Sequence, residues 1–462
     1  MNVVWSHFHL FFLEKWDRVK QKLYFEKQGG VMKRILTVWA LLLTACLNLS
    51  CVPRKDVLTI RVADFLTDPA LIKILNATVL DIENKNPGVQ VTLETTPYND
   101  YQQKIITQIT ADAAPDILYV EANNFVDLYL RDALEDLTPY AQKDQVDLKV
   151  YYPSIVKRFS PNGKIFAIPQ DIAPAGLMYY NKKIFQEAGV PFPTGDWSWP
   201  KDFLDVCQKL VKKDATGKVV RWAYDEAYPI NFENFIFSNG GDWVDNTEHP
   251  TRFMGDSPRA LEAARFRWDL IHTYHVAPSV TEMQSFSFGG GVQQMFVNGQ
   301  IAMMASGIWH VPQLLKAKDL DFDVVEFPKG PKGLKGWSSG GSGYAICKSS
   351  KHKDLAWQII RQLAAESSIS GLAATGMIQP ALIKLANSDT FLKSPGPANK
   401  GILLKMTEYS HFSPFFANWG EIYYGVLGPA LDPVWMGKTT PEKVLPGITK
   451  KINDKFFKAK NK

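Results

Sequence analysis

The sequence predicts an α/β protein, because stretches with the two-residue period of strands alternate with stretches that have the period of helices. Residues 58–62 and 89–93 alternate apolar and polar side chains, as half-buried strands do. A helical stripe lies between them over 69–86, and a second helix is expected over 101–111. Residues 115–120 form a short apolar run that is typical of a strand inside a parallel sheet. This order predicts βαβ units in a doubly wound sheet.

The alternation begins again further along the chain. Strands are predicted at 176–180, 301–306 and 323–327, and helices over 181–189 and 201–213. A chain of 462 residues is long for a single core. We therefore expect two α/β bodies, each built on a mostly parallel sheet flanked by helices.

The composition is that of a soluble globular protein, with 46% hydrophobic and 21% charged residues. The formal charge is +5, but residues 1–45 hold seven Lys or Arg and three Asp or Glu, so the rest is close to +1. This balance excludes the basic surface that nucleic acid requires. Four cysteines without regular spacing predict no disulfide framework and no metal site, and Cys207 and Cys347 are expected as buried free thiols. No cofactor is expected.

A segment near the front has the layout of a secretory signal peptide. Lys33 and Arg34 precede the apolar residues 35–45, and the small residue Ala45 stands directly before Cys46. The apolar run is shorter than the roughly 20 residues that a membrane-spanning helix needs. The sequence therefore predicts export.

Residues 43–46 resemble the lipoprotein box, in which the cysteine thiol takes a diacylglycerol and becomes the new N-terminus. This resemblance implies lipidation of Cys46, a signal peptide over 32–45 and a tether over 46–56. We expect residues 1–31 to be an untranslated or disordered upstream extension, with translation beginning at Met32.

Local motifs continue along the rest of the chain. They are PDI at 115–117, GKIFAIP at 163–169, YNK at 180–182 with FQEAG at 185–189, TGDWSW at 194–199, NGGDW at 239–243, FVNG at 296–299, AM at 302–303 with GIW at 307–309, GGSGYAI at 340–346 with SK at 350–351, and AW at 356–357. In this order, they resemble family 1 of the bacterial extracellular solute-binding proteins, the maltose-binding-like sugar receptors of ABC importers.

The resemblance implies a two-lobe, periplasmic-binding-protein-like fold of type II, hinged around a central cleft. Crossings between the lobes are expected near 171–175, 309–313 and 365–370. The lobes would comprise 57–171 plus 312–366 and 172–311 plus 367–462. The implied function is capture of a sugar or oligosaccharide without chemistry, and its delivery to permease subunits by a monomer anchored to the outer face of a membrane.

A sugar site needs flat aromatic platforms and polar groups that reach adjacent hydroxyls. Such groups should follow the carboxyl ends of parallel strands. Trp309 and Trp419 match family positions that stack on sugar, and Gly340 and Gly341 allow the backbone to approach a ligand. The full set of candidate ligand-binding residues is Asp64, Phe65, Glu121, Asn123, Asp171, Trp309, Gly340, Gly341 and Trp419.

Several alternatives stay open. The same transport role for a polyamine, a glycerol phosphate or a peptide would need converging carboxylates or phosphate-binding groups. Residues 336–340 match the Gly-x-Ser-x-Gly pattern of a secreted hydrolase, but a loop precedes them and a strand follows, which is the wrong context. His272 and His275 lack a further ligand at metal-binding spacing. A lipoprotein that docks partners and carries no solute is the remaining reading.

Overall fold

The computed structural model describes residues 57–228, 232–287 and 291–458. The predicted upstream extension, signal peptide, lipidation site at Cys46 and tether over 46–56 all lie outside the described residues. From Leu58 onward the chain forms one compact unit. Within the described part, no helix is both long enough and apolar enough to span a bilayer.

The strands of the described residues are short, as the spacing of the apolar runs predicts. They are β1 (Leu58–Asp64), β2 (Val89–Thr95), β3 (Ile117–Glu121), β4 (Ile168–Pro169), β5 (Ala173–Pro174), β6 (Leu177–Asn181), β7 (Lys212–Lys213), β8 (Val219–Glu226), β9 (Ile301–Ser306), β10 (Phe322–Glu326), β11 (Trp337–Gly340), β12 (Ser342–Ile346) and β13 (Ser410–His411).

Helices fill most of the chain between the strands. They are α1 (Pro69–Lys85), α2 (Tyr98–Thr110), α3 (Ala122–Leu130), α4 (Thr138–Lys143), α5 (Pro153–Phe159), α6 (Lys182–Glu187), α7 (Leu204–Leu210), α8 (Glu233–Ser238), α9 (Pro258–His272), α10 (Val280–Ser287), α11 (Gly291–Val297), α12 (Val311–Leu315), α13 (Lys353–Leu363), α14 (Glu366–Ala373), α15 (Ile383–Ala386), α16 (Asp389–Leu392), α17 (Ile402–Met406), α18 (Gly428–Trp435) and α19 (Pro441–Ile452). Further helical turns lie at Leu148–Val150, Pro161–Gly163, Trp199–Phe203, Ile308–His310, Thr407–Tyr409, Glu421–Leu427 and Asn453–Phe457.

Helix α1 shows how the local sequence sets these boundaries. The Asp68 side chain accepts a hydrogen bond from the backbone N–H of Ala70 at 2.9 Å, and Pro69 occupies the first helical position. Leu71 and Leu75 are buried on the face that packs inward. The predicted helix is confirmed, because both the Asp68 cap and the buried apolar stripe lie where the sequence predicts them.

The first lobe is built on a sheet with strand order β2-β1-β3-β12-β4. Strand β1 runs parallel to β2 and β3, as predicted, while β12 is antiparallel to β3 and β4. Every residue of β3 and β12 is buried, because the sheet is covered on both faces. The carboxyl ends of β1 and β3 therefore meet at one edge of this sheet.

The second lobe is built on a sheet with strand order β10-β6-β9-β8-β7 and has its own large apolar core. Strand β6 is antiparallel to both β9 and β10, and only the β8–β9 pair among the described pairs is parallel. The prediction of a mostly parallel sheet is therefore wrong here. Short apolar runs indicate buried strands, but they carry no signal for strand direction.

A small sheet of order β13-β11-β5 lies where the chain passes between the lobes. The chain leaves the first sheet after β4, passes through β5 and enters the second sheet at β6. It returns through β11, which is antiparallel to β5. These two strands form the hinge.

The return crossing differs from the one expected at 309–313. Strand β10 pairs with β6 in the second sheet, and Val311 and Leu314 of α12 are buried in the second core. The chain therefore leaves the second lobe at 327–341, and residues 312–326 do not belong to the first lobe. The apolar side chains of this stretch pack in the core of the second lobe.

The third passage involves α14, near the expected 365–370. Leu372 packs with Leu71 and Ile378 beside the first lobe, while Ile369 and Ala373 belong to the second core. Helix α14 thus contacts both lobes.

Candidate functional site

Three carboxylates lie at strand ends of the first lobe. Asp64 ends β1, Glu121 ends β3, and Asp171 follows β4, and all three are buried. Their position matches the rule that ligands bind beyond the carboxyl ends of parallel strands. All three are candidate site residues predicted from the sequence, and the structure brings them to one edge of the sheet.

Asp64 is held by the turn that follows β1. One of its oxygens accepts a hydrogen bond from the Leu66 N–H at 2.6 Å. Burial raises the pKa of Asp64 to about 7, partly opposed by hydrogen bonds from the backbone of Leu66 and Phe65. The Phe65 ring packs behind it against Tyr98, Tyr101 and Tyr119, with centroids 4.8–5.4 Å apart.

Glu121 caps helix α3. Its carboxylate accepts from the backbone N–H groups of Asn123 at 2.8 Å and Asn124 at 3.2 Å. Burial raises the pKa of Glu121 to about 7 against these stabilising bonds. The hinge strand passes so close that a Cβ on Gly340 would stand 2.9 Å from Glu121 Oε1. Glycine at this position lets the hinge lie against the carboxylate.

Asp171 starts the passage to the hinge. The Tyr119 hydroxyl donates to it at 2.5 Å, and burial raises its pKa to about 7. Gly341 lies beside it with a φ of 141°, and a Cβ there would be 2.7 Å from the Asp171 carbonyl oxygen. Both constraints make Gly341 a packing and turn residue next to the site.

The three carboxyl groups influence one another. After burial and hydrogen bonding, the charge of Asp171 further raises the pKa of both Asp64 and Glu121. Carboxyl groups with a pKa near neutrality can both donate and accept hydrogen bonds. Such a cluster suits a ligand whose hydroxyls also do both.

Four large aromatic side chains of the two lobes are exposed. Their exposed fractions are 49% for Tyr98, 45% for Tyr228, 38% for Trp309 and 70% for Tyr424. We call these four residues the aromatic group. Large rings with this exposure are available to cover the apolar faces of a ligand.

Electrostatic interactions connect Tyr98 with Glu121, Tyr424 and Tyr228. The Glu121 carboxylate raises the pKa of Tyr98 well above its usual value, followed by burial and then by Tyr424 and Tyr228. Tyr98 begins α2 in the first lobe, whereas Tyr228 follows β8 in the second lobe. Burial raises the pKa of Tyr228, and a hydrogen bond with Trp309 opposes that rise. Tyr98 of the first lobe therefore lies close enough to Tyr228 and Tyr424 of the second lobe for their charges to interact.

Trp419 has a different environment from Trp309. It is 8% exposed, stacks on Tyr423 with centroids 5.8 Å apart, and lies 6.3 Å from Phe253. Tyr423 in turn donates to the buried Glu233 at 2.5 Å. Trp419 thus packs beneath the segment that carries Tyr424 and leaves little surface for a ligand.

Asn123 is fully engaged by the protein. Its amide nitrogen donates to Glu121 Oε1 at 3.0 Å and to the Ser339 carbonyl at 3.3 Å, and its amide oxygen accepts from the Ser413 N–H at 2.9 Å. Both amide hydrogens are used, so Asn123 orients Glu121 instead of offering a free donor to a ligand.

Sequence reasoning missed Tyr98, Tyr228 and Tyr424. Two of them stand just past the carboxyl ends of β2 and β8, where the strand-end rule applies. The strand-end rule predicted carboxylates, an amide and Phe65, and the family resemblance implied the two tryptophans, so these three tyrosines were in neither set.

The other chemical readings find no support in the geometry. Ser338 lies within strand β11, and its N–H donates to Asn234 at 2.8 Å, so it is not on a strand-to-helix elbow. His272 Nε2 lies 3.1 Å from the Trp435 carbonyl oxygen. The described residues contain no group of three or more His, Cys, Asp or Glu that could hold a metal ion. Cys207 and Cys347 are buried free thiols, as predicted.

Comparison with known proteins agrees with this architecture. A putative binding protein of Brucella abortus is 24% identical over 373 residues, covering 79% of this chain and 85% of the relative. The galactooligosaccharide-binding protein of Bacillus subtilis is 22% identical over 369 residues, covering 78% and 82%. An ABC substrate-binding protein of Listeria monocytogenes in complex with cycloalternan superposes with a TM-score of 0.76 at 26% identity, covering 86% of this chain and 99% of that one.

The predicted two-lobe fold is confirmed by this solved structure. The family model described as bacterial extracellular solute-binding protein matches residues 67–367, which is more than half of the chain. This chain therefore belongs to the bacterial extracellular solute-binding proteins.

Proposed function

We propose that this protein is the sugar-binding receptor of an ABC importer and that it captures an oligosaccharide between its two lobes. The observation that carries the proposal is the aromatic group, whose exposed rings come from both lobes and include Tyr98, which interacts electrostatically with the buried carboxylate Glu121. Rings cover the apolar faces of a sugar, and a carboxyl group reaches two adjacent hydroxyls. Relatives whose names specify galactooligosaccharide or a complex with cycloalternan support the same ligand class.

Capture requires contacts from both lobes. A ligand that touches Tyr98 on one side and Tyr228 or Tyr424 on the other favours the closed arrangement over the open one. The receptor then presents the closed form to the permease. No bond of the ligand is made or broken in this role.

Lipidation at Cys46 would hold the receptor at the outer face of a membrane, where the permease lies. The support is the layout of residues 32–46, in which two cations and an apolar run precede a small residue and a cysteine. We propose that the exported protein acts as a monomer.

A polyamine is the second candidate, because Asp64, Glu121 and Asp171 converge on one sheet edge. Their pKa values of about 7 argue against it, since carboxyl groups that are only partly ionised near neutral pH attract a cation less than fully ionised ones. The two candidates differ in charge and are separated by one assay.

The test is a thermal-shift screen of the exported protein against maltotriose, galactotriose and spermidine, followed by calorimetry. A ligand at about 100 times its Kd stabilises the folded state by about 2.7 kcal/mol. We expect a neutral trisaccharide to raise the unfolding temperature and spermidine to leave it unchanged. Stabilisation by spermidine alone would contradict the sugar proposal.

A matched pair of variants links binding to the aromatic group. Tyr98→Ala should weaken trisaccharide binding by about tenfold or more, because an aromatic contact contributes about 1 kcal/mol beyond its buried area. Tyr274 is also exposed but lies outside the aromatic group, so Tyr274→Ala should bind as the wild type does. Equal affinities for the two variants would refute the assignment.

A further inference from the structure

The strongest unexplained feature is the segment over 412–418, which we call the strap. It follows β13, the strand that pairs with the hinge strand β11, and it precedes Trp419, which belongs to the second core. Phe412 and Phe415 nevertheless pack against the core of the first lobe. The strap therefore leaves the hinge, lies on the first lobe and then enters the second.

Polar contacts fasten the strap to the first lobe. Arg158 Nη1 donates to the Ser413 carbonyl at 2.9 Å, and Asp127 accepts from the Asn418 N–H at 3.1 Å. The Phe415 ring also lies 5.5 Å from that of Tyr129. Arg158 and Asp127 belong to α5 and α3, so the helix that Glu121 caps also holds the strap.

The strap is tied to the second lobe as well. The Phe415 N–H donates to the Thr247 carbonyl at 2.6 Å. Beside this contact, Lys157 of the first lobe pairs with Glu248 at 3.1 Å. Separation of the lobes on this side has to break the Lys157–Glu248 pair. It also has to break either the contacts of the strap with the first lobe or its contact with the second lobe.

Asn123 joins the strap to the site. Its oxygen accepts from the strap at Ser413, while its nitrogen donates to Glu121 and to the hinge strand at Ser339. A shift of the Glu121 carboxylate toward a ligand moves an atom that holds the Asn123 amide in place. The hydrogen bonds of the Asn123 amide to the hinge strand at Ser339 and to the strap at Ser413 then change as well.

We infer that Asn123 is a positioning residue that couples the orientation of Glu121 to closure of the lobes through the strap. This rests on the proposed function only in assuming that a ligand contacts Glu121. Loss of the amide should leave the strap less firmly held, so that the open arrangement is more populated without ligand. Apparent affinity falls in proportion to the fraction of binding-competent protein.

The test compares Asn123→Ala, Asp127→Ala and the control Asn298→Ala in the exported protein. Asn298 is exposed on the second lobe and accepts one hydrogen bond from Gln294. Small-angle scattering without ligand should give a larger radius of gyration for the first two variants than for the control. This measurement needs no sugar, so it stands or falls separately from the proposed function.

A second readout separates the role of Asn123 from that of the strap alone. Only Asn123→Ala removes a donor that stabilises the ionised form of Glu121, so only this variant should raise the pH midpoint of binding of whichever trisaccharide stabilises the wild type. Its dissociation should also be about tenfold faster, as expected when affinity changes act mainly on release. A folded Asn123→Ala with the scattering and pH midpoint of Asn298→Ala would overturn the inference. If Asn123→Ala does not fold, a radius of gyration of Asp127→Ala equal to that of the control overturns it instead.

Discussion

The substitution Asp171→Asn tests the account of the carboxyl cluster, because it removes a buried charge while keeping an oxygen for the Tyr119 hydroxyl. Burial raises the pKa of Asp171 from 3.8 to about 7. A carboxyl group with a raised pKa stabilises the folded state below its unfolded pKa, and this stability is lost as pH rises through the folded pKa. Wild type should therefore lose stability relative to the variant as the pH rises from 5 to 8.

The size of the effect follows from the two pKa values. Above pH 5 the unfolded state is already ionised while the folded state keeps its proton until the pH approaches its pKa of about 7, so the loss is about 1.4 kcal/mol per pH unit at first and about 2.5 kcal/mol in total between pH 5 and pH 8. Any constant penalty from the new amide group cancels when the two pH values are compared. Removing the charge of Asp171 also eases ionisation of Asp64 and Glu121, which adds to the difference in the same direction.

Urea unfolding of wild type and variant at pH 5 and pH 8 measures this difference. Asp132→Asn is the control, because Asp132 is an exposed residue paired with Lys348. We expect it to change the stability difference between the two pH values by only a few tenths of a kcal/mol. A flat difference for Asp171→Asn, or one that favours wild type at pH 8, would refute the reasoning.

Four further substitutions test other parts of the account. Gly340→Ala should turn Glu121 away, since the new Cβ would stand 2.9 Å from its oxygen, and weaken trisaccharide binding by about tenfold in calorimetry. Asp68→Ala should lower the free energy of unfolding by about 1 kcal/mol in urea, because helix α1 loses its cap. Leu75→Ala should lower it by about 3 kcal/mol, since Leu75 is fully buried. Cys46→Ala should move the expressed protein from the membrane fraction to the soluble fraction, and retention in the membrane would contradict lipidation there.

The parts of the fold that follow from local periodicity were predictable. Strand β1, helix α1 and strand β3 follow from alternation, a capped stripe and a short apolar run, respectively. Strand direction was not predictable, because the apolar sequences of β6 and β9 are equally compatible with parallel and antiparallel pairing. The return crossing was misplaced since an amphipathic helix at 311–315 gives no indication of which core it enters.

The part of the candidate site at strand ends was predictable. Glu121 and Asp171 follow from strand ends and crossings together with the family resemblance, and both lie buried at one edge of the first sheet. Trp419 shows the limit of composition, because a tryptophan that packs on Tyr423 cannot be told from a platform by sequence. The exposure of Tyr424 was not predictable for a different reason, because it depends on a helical turn that lies far along the chain from Glu121.

The most direct measurement is the crystal structure of this protein bound to the trisaccharide that stabilises it. We predict that sugar rings lie between Tyr98 and the second-lobe residues Tyr228 and Tyr424, with a hydroxyl hydrogen-bonded to the carboxylate of Glu121. A trisaccharide bound on one lobe only, or at a site that does not include Glu121, would contradict capture between the lobes.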